Sequence, residues 1–320
     1  MAIPILDFSS INNEVPRYDK LAKSFYDAYS TLGFGLITNH GVNKSLIDQL
    51  FQQMKAFHAL PEAIKMKYKY TQYLRGYLPG NISTLKSSTL ANVTKPNQSE
   101  SYMILNEALT EEEKLYLDQT PFGGVQIWPE ELPEFQKVAQ NYYQALINLS
   151  GHLVKILALA LKLPEDYFKP YFSQPNIFFR MLFYPPRPID TPSDVYGSAP
   201  HTDYGCFTLL LQDSIGGLQV KDTDDTWIDV TTDQYTFILN TGDMIERWSN
   251  GTLKSTPHRV INKSNNKPRY SVPFFYNCNL DTIVQPLATC IGTNHPALFE
   301  PVNYGDALTN KIITNYTFLK

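Results

Sequence analysis

The sequence predicts an α+β chain with a mainly β core, a jelly roll or barrel flanked by helices from its N-terminal half. Three observations lead there. Apolar residues recur at helical spacing through the first half, and from Ile177 onward they fall into short β-rich runs. The closely spaced turns between those runs suit a jelly roll or barrel better than a parallel sheet. The 320 residues are enough for one large domain or two modest ones, with a core able to enclose a site.

From Tyr18 to Leu32, Leu21, Phe25, Ala28, Tyr29 and Leu32 keep the helical period, and Gly33 is the expected stop. Phe34-Gly-Leu-Ile-Thr38 reads as a strand, Asn39-His-Gly41 as a turn, and Lys44 to about Leu60 as a second helix. Tyr70 to Gln98, rich in Ser, Thr, Asn and Gly, reads as irregular cover. The longest helical stripe runs from Pro133 to Leu163, with Pro133 in its first turn and Pro164 at its exit. Strands follow at 177–184, 206–212, 217–221, 227–230, 236–239, 258–261 and 269–277, with turn residues between them. No repeat of solenoid period occurs.

Bulk properties narrow the function. Hydrophobic residues make up 43% and charged residues 18%, an ordinary globular balance, with 21 Tyr and 18 Phe available for large apolar pockets. A net charge of −4 without a Lys/Arg cluster argues against a nucleic-acid partner. No basic-then-apolar leader opens the sequence, and the most apolar stretch, Leu153 to Leu163, is broken by Lys155 and Lys162. No membrane association is expected. Cys206, Cys278 and Cys290 cannot all pair and lack zinc-type spacing. Asn-x-Ser/Thr triplets at Asn81, Asn92 and Asn250 read as accidental. The expectation is a reduced, cytoplasmic protein; the oligomeric state is left open.

Six histidines focus the chemistry. His201-Thr-Asp203 precedes the apolar run from Cys206, and residues two apart on an extended strand face the same way, so the pair can grip one ion. His258 begins another short strand and can join them in a closed β structure. Two neutral imidazoles and one carboxylate make the facial triad of non-haem Fe(II) oxygenases, with open positions for substrate, co-substrate and O₂. His40, His58, His152 and His295 lack such a neighbour and read as helix, turn or surface residues.

The wider context is similar to the isopenicillin-N-synthase-like family of Fe(II)/2-oxoglutarate-dependent dioxygenases. The likeness rests on His201-Thr-Asp-Tyr-Gly-Cys-Phe-Thr-Leu-Leu-Leu-Gln-Asp213, Gly216-Gly-Leu-Gln-Val220, Asn240-Thr-Gly-Asp-Met244, Arg247-Trp-Ser-Asn-Gly251, Lys254-Ser-Thr-Pro-His-Arg-Val260 and Arg269-Tyr-Ser271. Upstream, Ile3-Pro-Ile-Leu-Asp7 and Gly33 to Gly41 extend it over nearly the whole chain. The resemblance implies a double-stranded β-helix of the cupin-like, jelly-roll kind within a single catalytic unit. It divides the chain into an N-terminal dioxygenase-type region (1–98), a helical support (99–175), the Fe/2-oxoglutarate core (176–285) and a C-terminal segment (286–320).

Carried onto these positions, the resemblance implies that His201, Asp203 and His258 bind iron and that Arg269 and Ser271 hold the distal carboxylate of 2-oxoglutarate. Tyr184, before Pro185-Pro186, matches a tyrosine that often contacts this acid, although Leu182 stands where relatives commonly have Asn. Tyr70, Tyr73 and Tyr77 fall in the family's variable cover and Arg180 on a core strand; all four are candidate substrate contacts. The implied reaction joins O₂ and 2-oxoglutarate to the oxidation of a small molecule by hydroxylation, desaturation or cyclisation, giving succinate and CO₂. An oxidase needing no 2-oxoglutarate is the near rival, since Arg269 and Ser271 have counterparts there too. A non-catalytic binding protein of the same fold has no need of all three ligands, and a serine hydrolase would need a Gly-x-Ser-x-Gly elbow that does not occur.

Overall fold

Two β-sheets face each other across an apolar interior, and a layer of helices covers the outer face of the larger one. The computed structural model describes residues 2–88, 90–91, 93–105 and 110–316; Asn92 lies outside them. The elements run β1 (Ile5–Asp7), α1 (Asp19–Thr31), β2 (Phe34–Thr38), α2 (Lys44–His58), α3 (Glu62–Lys65), β3 (Gly76–Leu78), β4 (Glu100–Leu105), α4 (Glu111–Leu117) and α5 (Phe135–Ala160). The β-rich half continues with β5 (Asn176–Tyr184), β6 (Ser198–His201), β7 (Phe207–Gln212), β8 (Leu218–Lys221), β9 (Trp227–Asp229) and β10 (Phe237–Thr241). It ends with α6 (Asp243–Trp248), β11 (His258–Val260), β12 (Arg269–Asn277), β13 (Ile283–Val284), β14 (Val302–Asn303) and α7 (Tyr304–Asn315).

The large sheet has the order β1-β2-β10-β7-β12-β5-β4-β3, and the small one β6-β11-β8-β9. Pairing is antiparallel in both sheets except between β1 and β2. Because successive side chains alternate faces, each central strand sorts its residues into two sets. Leu182, Tyr184 and Ile238 of the large sheet meet Leu218, Val220 and Val260 of the small one between the sheets. Phe179, Leu209, Leu239 and Phe274 point the other way, into the main core with Phe25, Phe57, Tyr142 and Leu153 of the helices. This is the jelly roll with flanking helices that the sequence predicts.

Helix ends follow local chemistry. The Asn43 side chain caps α2 by accepting from the Ser45 N–H at 2.8 Å, and Thr110 and Glu113 form a capping box on α4. Gly33 closes α1 at φ +70°, where any Cβ would collide with the Lys254 carbonyl. Helix α5 is shorter than the expected 133–163. Its end is a Schellman motif, with Leu163 N–H donating to Ala158 C=O at 2.8 Å and Lys162 N–H to Leu159 C=O at 3.0 Å. Lys162 adopts φ +60° to make that turn.

Strands β3 and β4 are absent from the sequence expectation and extend the large sheet, with Gly76 opposite Met103 and Ser101 opposite Leu182. Five of the six residues of β4 are buried, so the strand lacks the alternation that marks a half-exposed one. No helix among the described residues is long and apolar enough to cross a membrane.

Candidate metal centre

His201 ends β6 and His258 begins β11, and the two stand directly opposite in the antiparallel register. Cross-strand neighbours approach within about 5 Å at their Cβ atoms, and here the imidazole centroids lie 4.3 Å apart. Asp203 follows two residues after His201 and brings its Oδ1 to 3.8 Å from His201 Nε2 and 3.6 Å from His258 Nε2. One ligand atom from each residue lies within 4.8 Å of the others, close enough to share one ion.

The surroundings orient each donor. His201 Nδ1 is 2.7 Å from the Ala199 carbonyl and His258 Nδ1 is 3.1 Å from the Thr256 carbonyl. Each Nδ1–H therefore donates outward and leaves the Nε2 lone pair facing the centre. Asp203 Oδ2 accepts from Thr208 Oγ1 at 2.5 Å and from Asn240 Nδ2 at 2.7 Å, which frees Oδ1 for the centre. Phe34 meets the His258 ring edge-on at 5.4 Å and walls one side.

Electrostatics keeps His201 and Asp203 in ligand form. Burial, reinforced by the neighbouring His258 and more weakly by Arg180, pulls the His201 pKa down to about 4, so its imidazole is neutral at physiological pH. Burial pushes the Asp203 carboxyl up, but His258, His201, Thr208 and Asn240 outweigh it and hold the pKa below its ordinary value. Neutral imidazoles and an ionised carboxylate are the donor set that suits Fe(II).

A second constellation lies on the large sheet, on the face that meets the small one. Arg269 opens β12 opposite Tyr184 and is 0% exposed. Its Nη2 donates to Gln212 Oε1 at 2.9 Å, and its guanidinium lies 4.7 Å from the Tyr184 ring centroid. Arg269 Nε and Nη1 and Ser271 Oγ are buried and find no hydrogen-bond partner among the described residues. A buried cation with two unanswered donors beside an unanswered hydroxyl is built to receive a carboxylate, so these residues fit 2-oxoglutarate.

The other expected site residues divide. Arg180, on the inner face of β5, donates from Nη2 to Ser101 Oγ at 3.0 Å. Tyr77 does not join the site. It pairs with Tyr102, faces the helical layer against Phe57, and donates its hydroxyl to Glu100 Oε2 at 2.5 Å. On a strand, that direction is opposite to the interior. Tyr73 turns to the 118–124 stretch, donating to the Asp118 carbonyl at 3.3 Å with its ring against Gly124. Tyr70 is half-buried, its ring 5.3 Å from the Lys69 ammonium.

Two of the other histidines are interior rather than surface. His40 is 8% and His58 7% exposed, the latter bonded to Glu100 and the Met181 carbonyl. Sequence reasoning passed over Thr208, Asn240 and Gln212. Their signal is a polar residue in an otherwise apolar strand, as in Phe237-Ile-Leu-Asn240.

Residues 175–277 match the 2OG-Fe(II) oxygenase superfamily, and residues 3–131 match the non-haem dioxygenase N-terminal region named for morphine synthesis. A 2-oxoglutarate-Fe(II) type oxidoreductase of Emericella nidulans, hxnY, is 32% identical, covering 98% of this chain and 90% of that protein. Homoarginine-6-hydroxylase 2-ODD-233 of Oryza sativa subsp. japonica is also 32% identical, covering 98% of each chain. The crystal structure of a full-length Neurospora crassa protein in complex with alpha-KG superposes with a TM-score of 0.81 at 27% identity, covering 97% of this chain and 95% of that one. With that sequence likeness over its full length and this fold, the chain belongs to the 2OG-Fe(II) oxygenase superfamily, on its isopenicillin-N-synthase-like branch.

Proposed function

We propose that His201, Asp203 and His258 hold the Fe(II) of this oxygenase, and that Arg269, Ser271 and Tyr184 hold 2-oxoglutarate by its distal carboxylate. The protein is an Fe(II)- and 2-oxoglutarate-dependent oxidoreductase acting on a small organic molecule. One observation carries the residue assignment: a His-Asp-His cluster and a buried, under-paired arginine project into one interior between two sheets.

When bound, the iron and 2-oxoglutarate supply the oxidant from O₂, with succinate and CO₂ as co-products. The chain's own residues do the rest. Thr208 and Asn240 hold Asp203 with one oxygen turned to the centre, while Ala199 and Thr256 fix both imidazoles. Arg269 gives two charge-assisted donors, and Tyr184 is packed against it with Gly197 leaving room for the ring. Apolar residues from both sheets exclude water around them.

Relatives differ in what they act on or bind: one is named for homoarginine, and the Neurospora crassa protein has been crystallised with thymine. A small molecule is therefore the proposed partner class here. A reducing, cytoplasmic setting is part of the proposal, supported by three unpaired cysteines. The test is succinate formation and O₂ consumption by the Fe(II)-loaded protein with and without 2-oxoglutarate. Succinate that depends on both, and that disappears in Arg269→Met, supports the reading. O₂ consumption indifferent to 2-oxoglutarate refutes it.

A further inference from the structure

Arg180 is a second guanidinium on the wall that carries Arg269. It lies on β5 four residues before Tyr184, with the same inward parity as Leu182 and Tyr184. Four strand residues span about 13 Å, so two positive groups stand at separate places along one interior face. Arg269 is fully enclosed, whereas Arg180 is partly exposed. Arg180 donates once, to Ser101 Oγ at 3.0 Å, and its buried Nε has no partner among the described residues. Thr208 and Asn240 engage Asp203 Oδ2 and its Oδ1 is turned to the two histidines, so the triad carboxylate is directed elsewhere.

A guanidinium turned to the interior with an unanswered donor needs an anion, and 2-oxoglutarate is accounted for at Arg269. Apart from Ser101, its neighbours on the sheet are apolar. Phe178 and Leu182 flank it on the same face of β5, and Met103 is its partner across β4. The guanidinium carries one charge, which matches a monoanion.

We propose that Arg180 anchors a carboxylate on the substrate, so that the enzyme oxidises a small monocarboxylic acid with an apolar frame. The inference rests on the placement of iron and 2-oxoglutarate given above. It makes Arg180 the specificity-determining residue and Ser101 the hydroxyl that orients it.

Matched probes test this without a known substrate. Phenylacetate and phenylacetamide, octanoate and octanamide, and cyclohexylacetate and its amide are titrated anaerobically by calorimetry into protein loaded with Fe(II) and 2-oxoglutarate. In at least one pair the acid binds ten-fold or more tightly than the amide. Arg180→Gln removes that preference with unchanged iron content and 2-oxoglutarate affinity, and Arg180→Lys keeps part of it. The proposal is overturned if no acid binds, if acid and amide bind alike, or if Arg180→Gln keeps the preference. It is overturned too if Arg180→Gln loses 2-oxoglutarate, because the two arginines would then have exchanged roles. Should Arg180→Gln fail to fold, the wild-type ratio and Arg180→Lys still decide. Failure of the underlying reading looks different: wild type itself would bind no 2-oxoglutarate, or Arg269→Met would bind it normally.

Discussion

Replacing Arg269 by Met separates what this side chain does for the fold from what it does for the co-substrate. The guanidinium is 0% exposed, makes one hydrogen bond of 2.9 Å to Gln212, and leaves two donors unanswered. Exchanging an imperfectly paired buried charge for an apolar side chain of similar length is neutral to stabilising by about 1–4 kcal/mol. Stranding the Gln212 oxygen returns about 1–3 kcal/mol of that. Ligand-free Arg269→Met should therefore unfold within about 3 kcal/mol of wild type in either direction, whereas large-to-small truncation of an apolar core side chain costs about 2–5 kcal/mol with a fixed sign. The effect on 2-oxoglutarate is larger and of fixed sign. Losing a buried charge partner costs about 2–5 kcal/mol, a loss of affinity between roughly thirty-fold and several-thousand-fold. Anaerobic calorimetry measures that affinity, and urea unfolding measures stability with and without the acid. At a hundred times its Kd, 2-oxoglutarate stabilises wild type by about 2.7 kcal/mol, and the same concentration should leave the variant almost unaffected. Affinity within three-fold of wild type would refute the assignment.

Further outcomes follow from the same geometry. His201→Ala, Asp203→Ala and His258→Ala should each lose bound iron and turnover while circular dichroism stays that of wild type; retained iron in any one removes that residue from the ligand set. Asn240→Leu releases one oxygen of Asp203 and should weaken Fe(II) binding about 10–100-fold, read by metal competition. Tyr77→Phe should cost about 1–3 kcal/mol of stability and leave kcat unchanged, since its hydroxyl serves Glu100 and Glu62 behind the sheet. Burial pushes the Glu100 carboxyl up, but His58, Lys65 and Tyr77 outweigh it and hold the pKa at about 2, below its ordinary 4.5. The unfolded chain therefore takes up that proton first, and stability falls as pH drops from about 4.5 to about 2, by about 3 kcal/mol at most. Glu100→Gln should flatten that part of the acid unfolding curve.

Much of this was legible in the sequence, and what was not shares a cause. The two-residue step from His201 to Asp203 is local geometry, and a strand reads it out directly. The meeting of His201 with His258 depends on the register between β6 and β11, which strand patterns do not contain. The direction of Tyr77 was hidden for the same reason. A Tyr-rich stretch looks like cover until pairing with Tyr102 on β4 decides which way the ring points. That strand was hidden because both its faces are buried and its apolar run does not alternate.

The same double burial makes another signal readable. Strands β5, β7, β10 and β12 lie in the middle of the large sheet with the helical layer on one side and the small sheet on the other, so most of their residues are apolar. A polar side chain there costs free energy unless something answers it. Arg180, Thr208, Gln212, Asn240, Arg269 and Ser271 interrupt these strands, and all six take the inward parity. Thr208 and Asn240 are answered by Asp203, and Gln212 by Arg269. Donors of Arg180, Arg269 and Ser271 are left over. On the proposed reading, Thr208, Asn240 and Gln212 hold the ligating and anchoring groups still, and the open donors of Arg180, Arg269 and Ser271 meet the molecules on which the protein acts.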